Sequence, residues 1–133
     1  MAEAHLPIPN PVELQILQVL WDKGSATVRE VHEVLSRDRT LAYTSVLSML
    51  QYMEKKGLVS HEQDGRAYRY EATRGRRPTL RRLTADLIAR AFGGAPTLLL
   101  QQTIEDEDIS PEELRELRQL IDRKASGGTD DES

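Results

Sequence analysis

Between residues 10 and 56 the apolar residues recur every three or four positions, in three blocks. Leu14, Leu17, Leu20 and Trp21 make the first stripe, Val31, Val34 and Leu35 the second, and Val46, Met49, Leu50 and Met53 the third. That spacing puts each set on one face of a helix. The punctuation agrees. Asn10-Pro11-Val12-Glu13 offers a cap, a proline suited to the first helical position and a capping-box glutamate, and Thr27-Val28-Arg29-Glu30 offers a second box. Gly24 after Lys23 and Gly57 after Lys56 mark helix ends. The pattern predicts helices from Asn10 to Gly24, from Thr27 to about Ser36 and from about Ala42 to Lys56, with 37–41 a polar connection.

The period then changes. In residues 58–72, LVSHEQDGRAYRYEA, the pair Asp64-Gly65 is a strong hairpin signal, and Arg66, Tyr68 and Tyr70 alternate with Ala67, Arg69 and Glu71. This pattern predicts strands near 59–63 and 67–72. Helical spacing returns with Leu80, Leu83 and Leu87 between about Pro78 and Phe92, ended by Gly93-Gly94. Residues 97–104 read as a short, apolar helix. Ser110-Pro111-Glu112-Glu113 is a third capping box, ahead of Leu114, Leu117, Leu120 and Ile121. The first nine residues read as an extended arm and the final ASGGTDDES as disordered.

The order is therefore mainly α: a winged helix-turn-helix, with three helices plus a β-hairpin wing, followed by a C-terminal helical region. The expected domains are 1–75, 76–124 and a tail of 125–133. The C-terminal stripes have no further sheet or bundle to cover them, and a partner chain is the simplest cover.

Charge sharpens this picture. The 133 residues carry a net charge of −4, but unevenly. Residues 1–75 hold nine Lys/Arg against ten Asp/Glu, 76–90 hold five against one, and 91–133 hold four against eleven. A polyanion would meet the front and the basic girdle, not the tail. There is no cysteine, which removes thiol catalysis and thiolate metal sites and suits a cytoplasmic setting. The longest apolar runs are too short for a membrane span. His5, His32 and His61 lack ligand-spaced partners, so no metal and no cofactor is expected. No phosphate loop, nucleophile elbow or His-carboxylate motif marks an enzyme.

The third helix, YTSVLSMLQYMEKKGL, is informative on its polar side. Thr44, Ser45, Ser48 and the amide Gln51 come first, and Tyr52, Lys55 and Lys56 last. In a helix-turn-helix, short hydroxyls at the start of the second helix approach base edges, and later cations meet phosphates. Leu47 could touch a thymine methyl. The same face could equally be ordinary solvated surface. The wing and girdle tip the balance: from 66 to 82 there are seven arginines against one acid, Glu71, and arginine suits phosphate. A winged helix used as a protein-interaction module, docking through the acidic C-terminal third, is the alternative reading.

The runs ILQVLWDKGSATVREVHEVL, YTSVLSMLQYMEKKGLV, GRAYRYEA, AFGG and ISPEELRELRQLID occur in this order over residues 10–123. Together they resemble the penicillinase-repressor (BlaI/MecI/CopY) family of transcriptional regulators. The resemblance implies a homodimeric repressor that binds inverted-repeat operator DNA. Its recognition positions fall on Thr44, Ser45 and Ser48 and its wing positions on Gly65, Arg66, Tyr68 and Tyr70. The full DNA-facing set is Thr27, Tyr43, Thr44, Ser45, Ser48, Tyr52, Lys55, Arg66 and Arg69. The implied dimerisation stripes are Leu80, Leu83, Leu87, Leu98, Leu99, Leu114, Leu117 and Leu120. The chain departs from the family twice. It lacks the cysteine motif of the copper-responsive branch, and Gln102-Thr103 stands where the β-lactam-responsive members are cut at Asn-Phe. Whether a differently tuned regulatory protease cuts here stays open.

Overall fold

The computed structural model describes residues 7–106 and 108–127. Its elements are α1 (Pro11–Lys23), β1 (Ala26–Thr27), α2 (Val28–Leu35), α3 (Tyr43–Lys55), β2 (Val59–Asp64), β3 (Ala67–Ala72), α4 (Arg76–Ala91), α5 (Pro96–Asp106) and α6 (Pro111–Ala125). The three strands form one antiparallel sheet in the order β1-β3-β2. This is a mainly helical chain: a winged helix, then a C-terminal helical region. It divides into two compact units, 1–87 and 88–133, with the division inside α4. The expected boundary at 75/76 lies earlier, because the start of α4 is held by the winged helix. Trp21 Nε1 donates to the Arg74 carbonyl at 3.0 Å, Arg76 pairs with Asp22 at 2.8 Å, and Thr79 is buried.

In the first unit, both predicted capping boxes form. The Asn10 side chain accepts from Glu13 N–H and the Glu13 carboxylate accepts from Asn10 N–H; Thr27 and Glu30 do the same for α2. Each satisfies two backbone donors that a helix start leaves over. The stripes then meet in one core. Leu17 and Leu20 of α1, Val31 and Leu35 of α2, and Val46, Leu50 and Met53 of α3 are buried together with Val59 and Tyr70 of the wing. Ile16 and Val19 are buried as well, whereas Leu14 and Trp21 are only half-buried. The face of α1 is therefore rotated from the one its leucine spacing predicts.

The strand β1 has no counterpart among the elements predicted from the sequence. Its two residues pair with Tyr70 and Arg69 of β3, and a two-residue strand carries no periodic signal. In the wing, Asp64 faces Ala67 across a Gly65-Arg66 turn. Gly65 has φ +65°, and no non-glycine residue among those described has a positive φ. Those signs are the ones of a type II′ hairpin turn, with glycine at the first central position.

The C-terminal region departs from expectation in detail. α4 starts at Arg76, before Pro78, which a first helical turn tolerates because its N–H groups have no helical partner. Ser110 accepts from Glu113 N–H, but only that half of the third capping box forms. Ala125 is the last residue of α6, and the Ser126 hydroxyl donates to the Asp122 carbonyl at 2.7 Å. Residues 125–127 of the expected tail thus belong to the end of α6 and the turn after it; residues 128–133, like 1–6 of the expected arm, lie outside those described.

No residue of α5 or α6 among those described is buried. Leu98, Leu100, Ile104, Leu114, Leu120 and Ile121 are 42–54% exposed. Leu80 and Leu87 of α4 are exposed too, while Leu83, Leu99 and Leu117 are half-buried. No single helix among the described residues is long and apolar enough to cross a membrane.

Candidate nucleic-acid interface

The sequence places α3 with Val46, Leu50 and Met53 inward, so the residues between them must face out. Tyr43, Thr44, Ser45, Ser48, Gln51, Tyr52 and Lys55 are all exposed. Seven residues of turn, 36–42, join α2 to α3, and His32 closes that turn. Its Nε2 lies 2.6 Å from the Leu41 carbonyl oxygen, and its ring meets Tyr43 edge-on at 6.0 Å. At the other end of α3, the His61 Nδ1 of the wing lies 2.7 Å from Glu54 Oε1. The same imidazole packs against Tyr68 and Tyr70 at 4.8 and 5.2 Å. The helix is thus tied at its start to α2 and near its end to the wing.

A groove of about 550 Å³ runs between these elements. Thr27 of β1, Arg29 of α2, Tyr43, Leu47 and Gln51 of α3, and Arg66 and Tyr68 of the wing line it. Five of these, Thr27, Tyr43, Leu47, Arg66 and Tyr68, were singled out by the sequence. Arg29 was not among the residues singled out by the sequence, and Gln51 belonged to the polar face of the third helix without a site role of its own. The signal for Arg29 was its place in the first turn of α2, whose side chains tilt back toward the helix start; the signal for Gln51 was its spacing from Ser48. An exposed helix face of hydroxyls and one amide, with an arginine at the adjoining hairpin tip, can donate and accept hydrogen bonds along a base-pair edge while a cation reaches phosphate.

Several expected site residues have other work within the fold. Thr27 is in the groove, but its hydroxyl oxygen accepts the Glu30 N–H at 3.2 Å as the α2 cap. Lys56, expected near phosphates, points back into the domain. Its Nζ donates to both carboxylate oxygens of Glu13 at 2.9 Å, and Glu13 is 3% exposed. Lys56 also lies 5.2 Å from the centre of the Tyr52 ring. The physical reason is burial: a carboxylate turned inward by the α1 cap needs a cation more than a solvated surface does. Tyr70, assigned to the wing, is a core residue at 2% exposure. Its hydroxyl is pushed up from the ordinary value by burial first, then by Glu54. Arg69 is bonded to Asp64 and Ser25. The Glu30 carboxyl is held below its ordinary value, first by the Thr27 backbone N–H and also by Arg69.

None of the expected dimerisation leucines is buried. Among the described residues, a groove of about 440 Å³ between α5 and α6 is lined by Ile109, Leu117 and Leu120 together with Thr103, Asp108, Glu113 and Glu116.

Known proteins place these features. The sequence model of the penicillinase repressor family matches residues 10–123. A transcriptional regulator BlaI of Mycobacterium tuberculosis (strain CDC 1551 / Oshkosh) is 42% identical over 89 residues. That alignment takes in 66% of this chain and 64% of the relative, so the chain spans under two thirds of that relative's length. A penicillinase repressor of Bacillus licheniformis is 25% identical over 117 residues, covering 88% of this chain and 91% of its own. Among solved structures, a MarR family protein from Bacillus stearothermophilus shares the fold at 19% identity, with a TM-score of 0.53 over 96% of this chain and 81% of that one. With the capped helices, the recognition-type helix and the wing in the order that this match requires, the chain belongs to the penicillinase repressor family.

Proposed function

We propose that the chain is a DNA-binding transcriptional repressor and not an enzyme, acting in the cytoplasm as a homodimer on an inverted-repeat operator. The observation that carries the reading is the exposed polar face of α3, with Thr44, Ser45 and Ser48, flanking a groove that Tyr43, Leu47 and Gln51 of the same helix share with Arg66 of the wing tip. In this arrangement Thr44, Ser45 and Ser48 meet base edges in the major groove, Leu47 and Tyr43 flank them, and Tyr52 and Lys55 lie toward the phosphates. No long amide or arginine stands in the first turn of α3. Part of the selectivity therefore comes from wing placement, DNA shape and half-site spacing.

The exposed leucines of α4, α5 and α6 support the second half of the proposal. A two-fold dimer lets each copy cover the other's stripes and doubles the DNA contacts. A regulatory protease remains a proposed partner. Gln102 and Thr103 lie inside α5, the Gln102 amide donating to Asp106 and the Thr103 hydroxyl to the Leu99 carbonyl. Cleavage of that bond requires this turn of α5 to unwind.

Arg66→Ala tests the DNA reading. With a duplex selected by the wild-type protein, affinity is expected to fall about ten-fold and the salt slope by about one. The measurement is binding titration at several salt concentrations. An unchanged slope would remove Arg66 from the interface. The protein-interaction alternative predicts no specific duplex at all.

A further inference from the structure

Arg69 sits at the centre of a network that joins three parts of the winged helix. Its Nε donates to Asp64 Oδ2 at 3.0 Å, at the base of the wing turn. Its Nη1 donates to Ser25 Oγ at 3.2 Å, just before β1, and lies 3.6 Å from Glu30 Oε1. That same Glu30 oxygen accepts the Thr27 N–H at 2.9 Å. The Cα partner of Arg69 in β1 is Thr27 and in β2 is Glu62. One guanidinium thus links the hairpin to the capped start of α2, on the sheet face opposite buried Tyr70.

We propose that Arg69 is a positioning residue: it fixes the direction of the wing so that Arg66 meets the DNA backbone, and it is not itself a phosphate ligand. The proposal rests on the DNA-binding reading above and revises the expectation that Arg69 contacts phosphate. Three observations carry it. The Nε and Nη1 of Arg69 are engaged by Asp64 and Ser25, with Glu30 beside Nη1, and swinging the guanidinium to DNA would take from Asp64 and Glu30 the cation between them. The side chain is 35% exposed, against a wing tip that is open. The wing beyond β1 is a two-stranded ribbon, the kind of sheet whose twist varies most. A forked cation at the ribbon's base restricts that twist, and Arg66 lies three residues before Arg69, in the turn itself.

The two roles predict opposite signs. If Arg69 is a phosphate ligand, Asp64→Asn frees it and removes a negative charge, and affinity rises. If Arg69 aims the wing, Asp64→Asn loosens the ribbon and affinity falls, about three- to ten-fold. The probe is the duplex that wild-type protein selects from a random-sequence library, titrated at several salt concentrations. The companion experiment is a double-mutant cycle. Arg66→Ala, costing about ten-fold in the wild-type background, is expected to cost under about two-fold in Arg69→Met, with the salt slope falling by about one in either single variant and no further in the double. Losses that multiply and slopes that add would overturn the proposal, as would unchanged or tighter binding by Asp64→Asn. Should Arg69→Met fail to fold, the Asp64→Asn titration alone decides. Failure of wild-type protein to select any duplex would instead sink the DNA-binding reading, so the two failures are separable.

Discussion

Replacing Leu98 and Leu120 together by aspartate is expected to give a monomer that still folds as a winged helix. Both side chains are about half exposed, at 49% and 52%, so neither holds a core within the chain. Full burial of a leucine contributes about 1.5–3 kcal/mol; each of these has about half of that left to gain. A two-fold interface repeats every change, so four contacts of about 1 kcal/mol are lost, and four carboxylates resist burial besides. Operator affinity should fall with assembly, by about 100-fold or more, because the second recognition helix no longer binds as part of one molecule. Sedimentation equilibrium reads the first effect and DNA titration the second. A variant that remains dimeric would move the interface away from α5 and α6.

The second large effect concerns stability. Lys56→Met is expected to destabilise the protein by about 2–4 kcal/mol, somewhat less than the roughly 3–5 kcal/mol for breaking a fully buried pair because Lys56 itself keeps some water contact. Glu13, 3% exposed, would retain the Asn10 N–H but lose its cation. The paired change Glu13→Gln with Lys56→Met should recover much of the loss, since a buried ion pair replaced as a unit is often neutral. Urea denaturation of the wild-type protein and both variants measures this. A loss under about 1 kcal/mol in Lys56→Met would show that water reaches Glu13 and that the link from the start of α1 to the end of α3 contributes little.

These two effects mark where the sequence was readable. The helices of the first unit were legible because local signals agreed: Asn10 and Thr27 cap, Val46, Leu50 and Met53 repeat, and Asp64-Gly65 turns the hairpin. The partnerships that define the site were not legible. Lys56 and Glu13 are 43 residues apart, and Arg69 and Ser25 are 44 apart, distances over which no periodicity reports. Lys56 reads as a phosphate contact from its position in α3, and only the fold sets it beside a buried acid. β1 was missed because two residues show no alternation. The stripes of α4 to α6 were readable as apolar faces, but spacing alone does not say what covers them.

The proposed function meets its most direct test in selection of duplexes from a random-sequence library by the full-length protein at near-physiological salt. Enrichment of an inverted repeat, with half-site centres about one helical turn of roughly 10 base pairs apart or a little more, is the expected result. The enriched duplex should bind at least about 1,000-fold more tightly than its scrambled counterpart. Recovery of no common motif, or equal affinity for scrambled and enriched duplexes, would contradict a homodimeric operator-binding repressor.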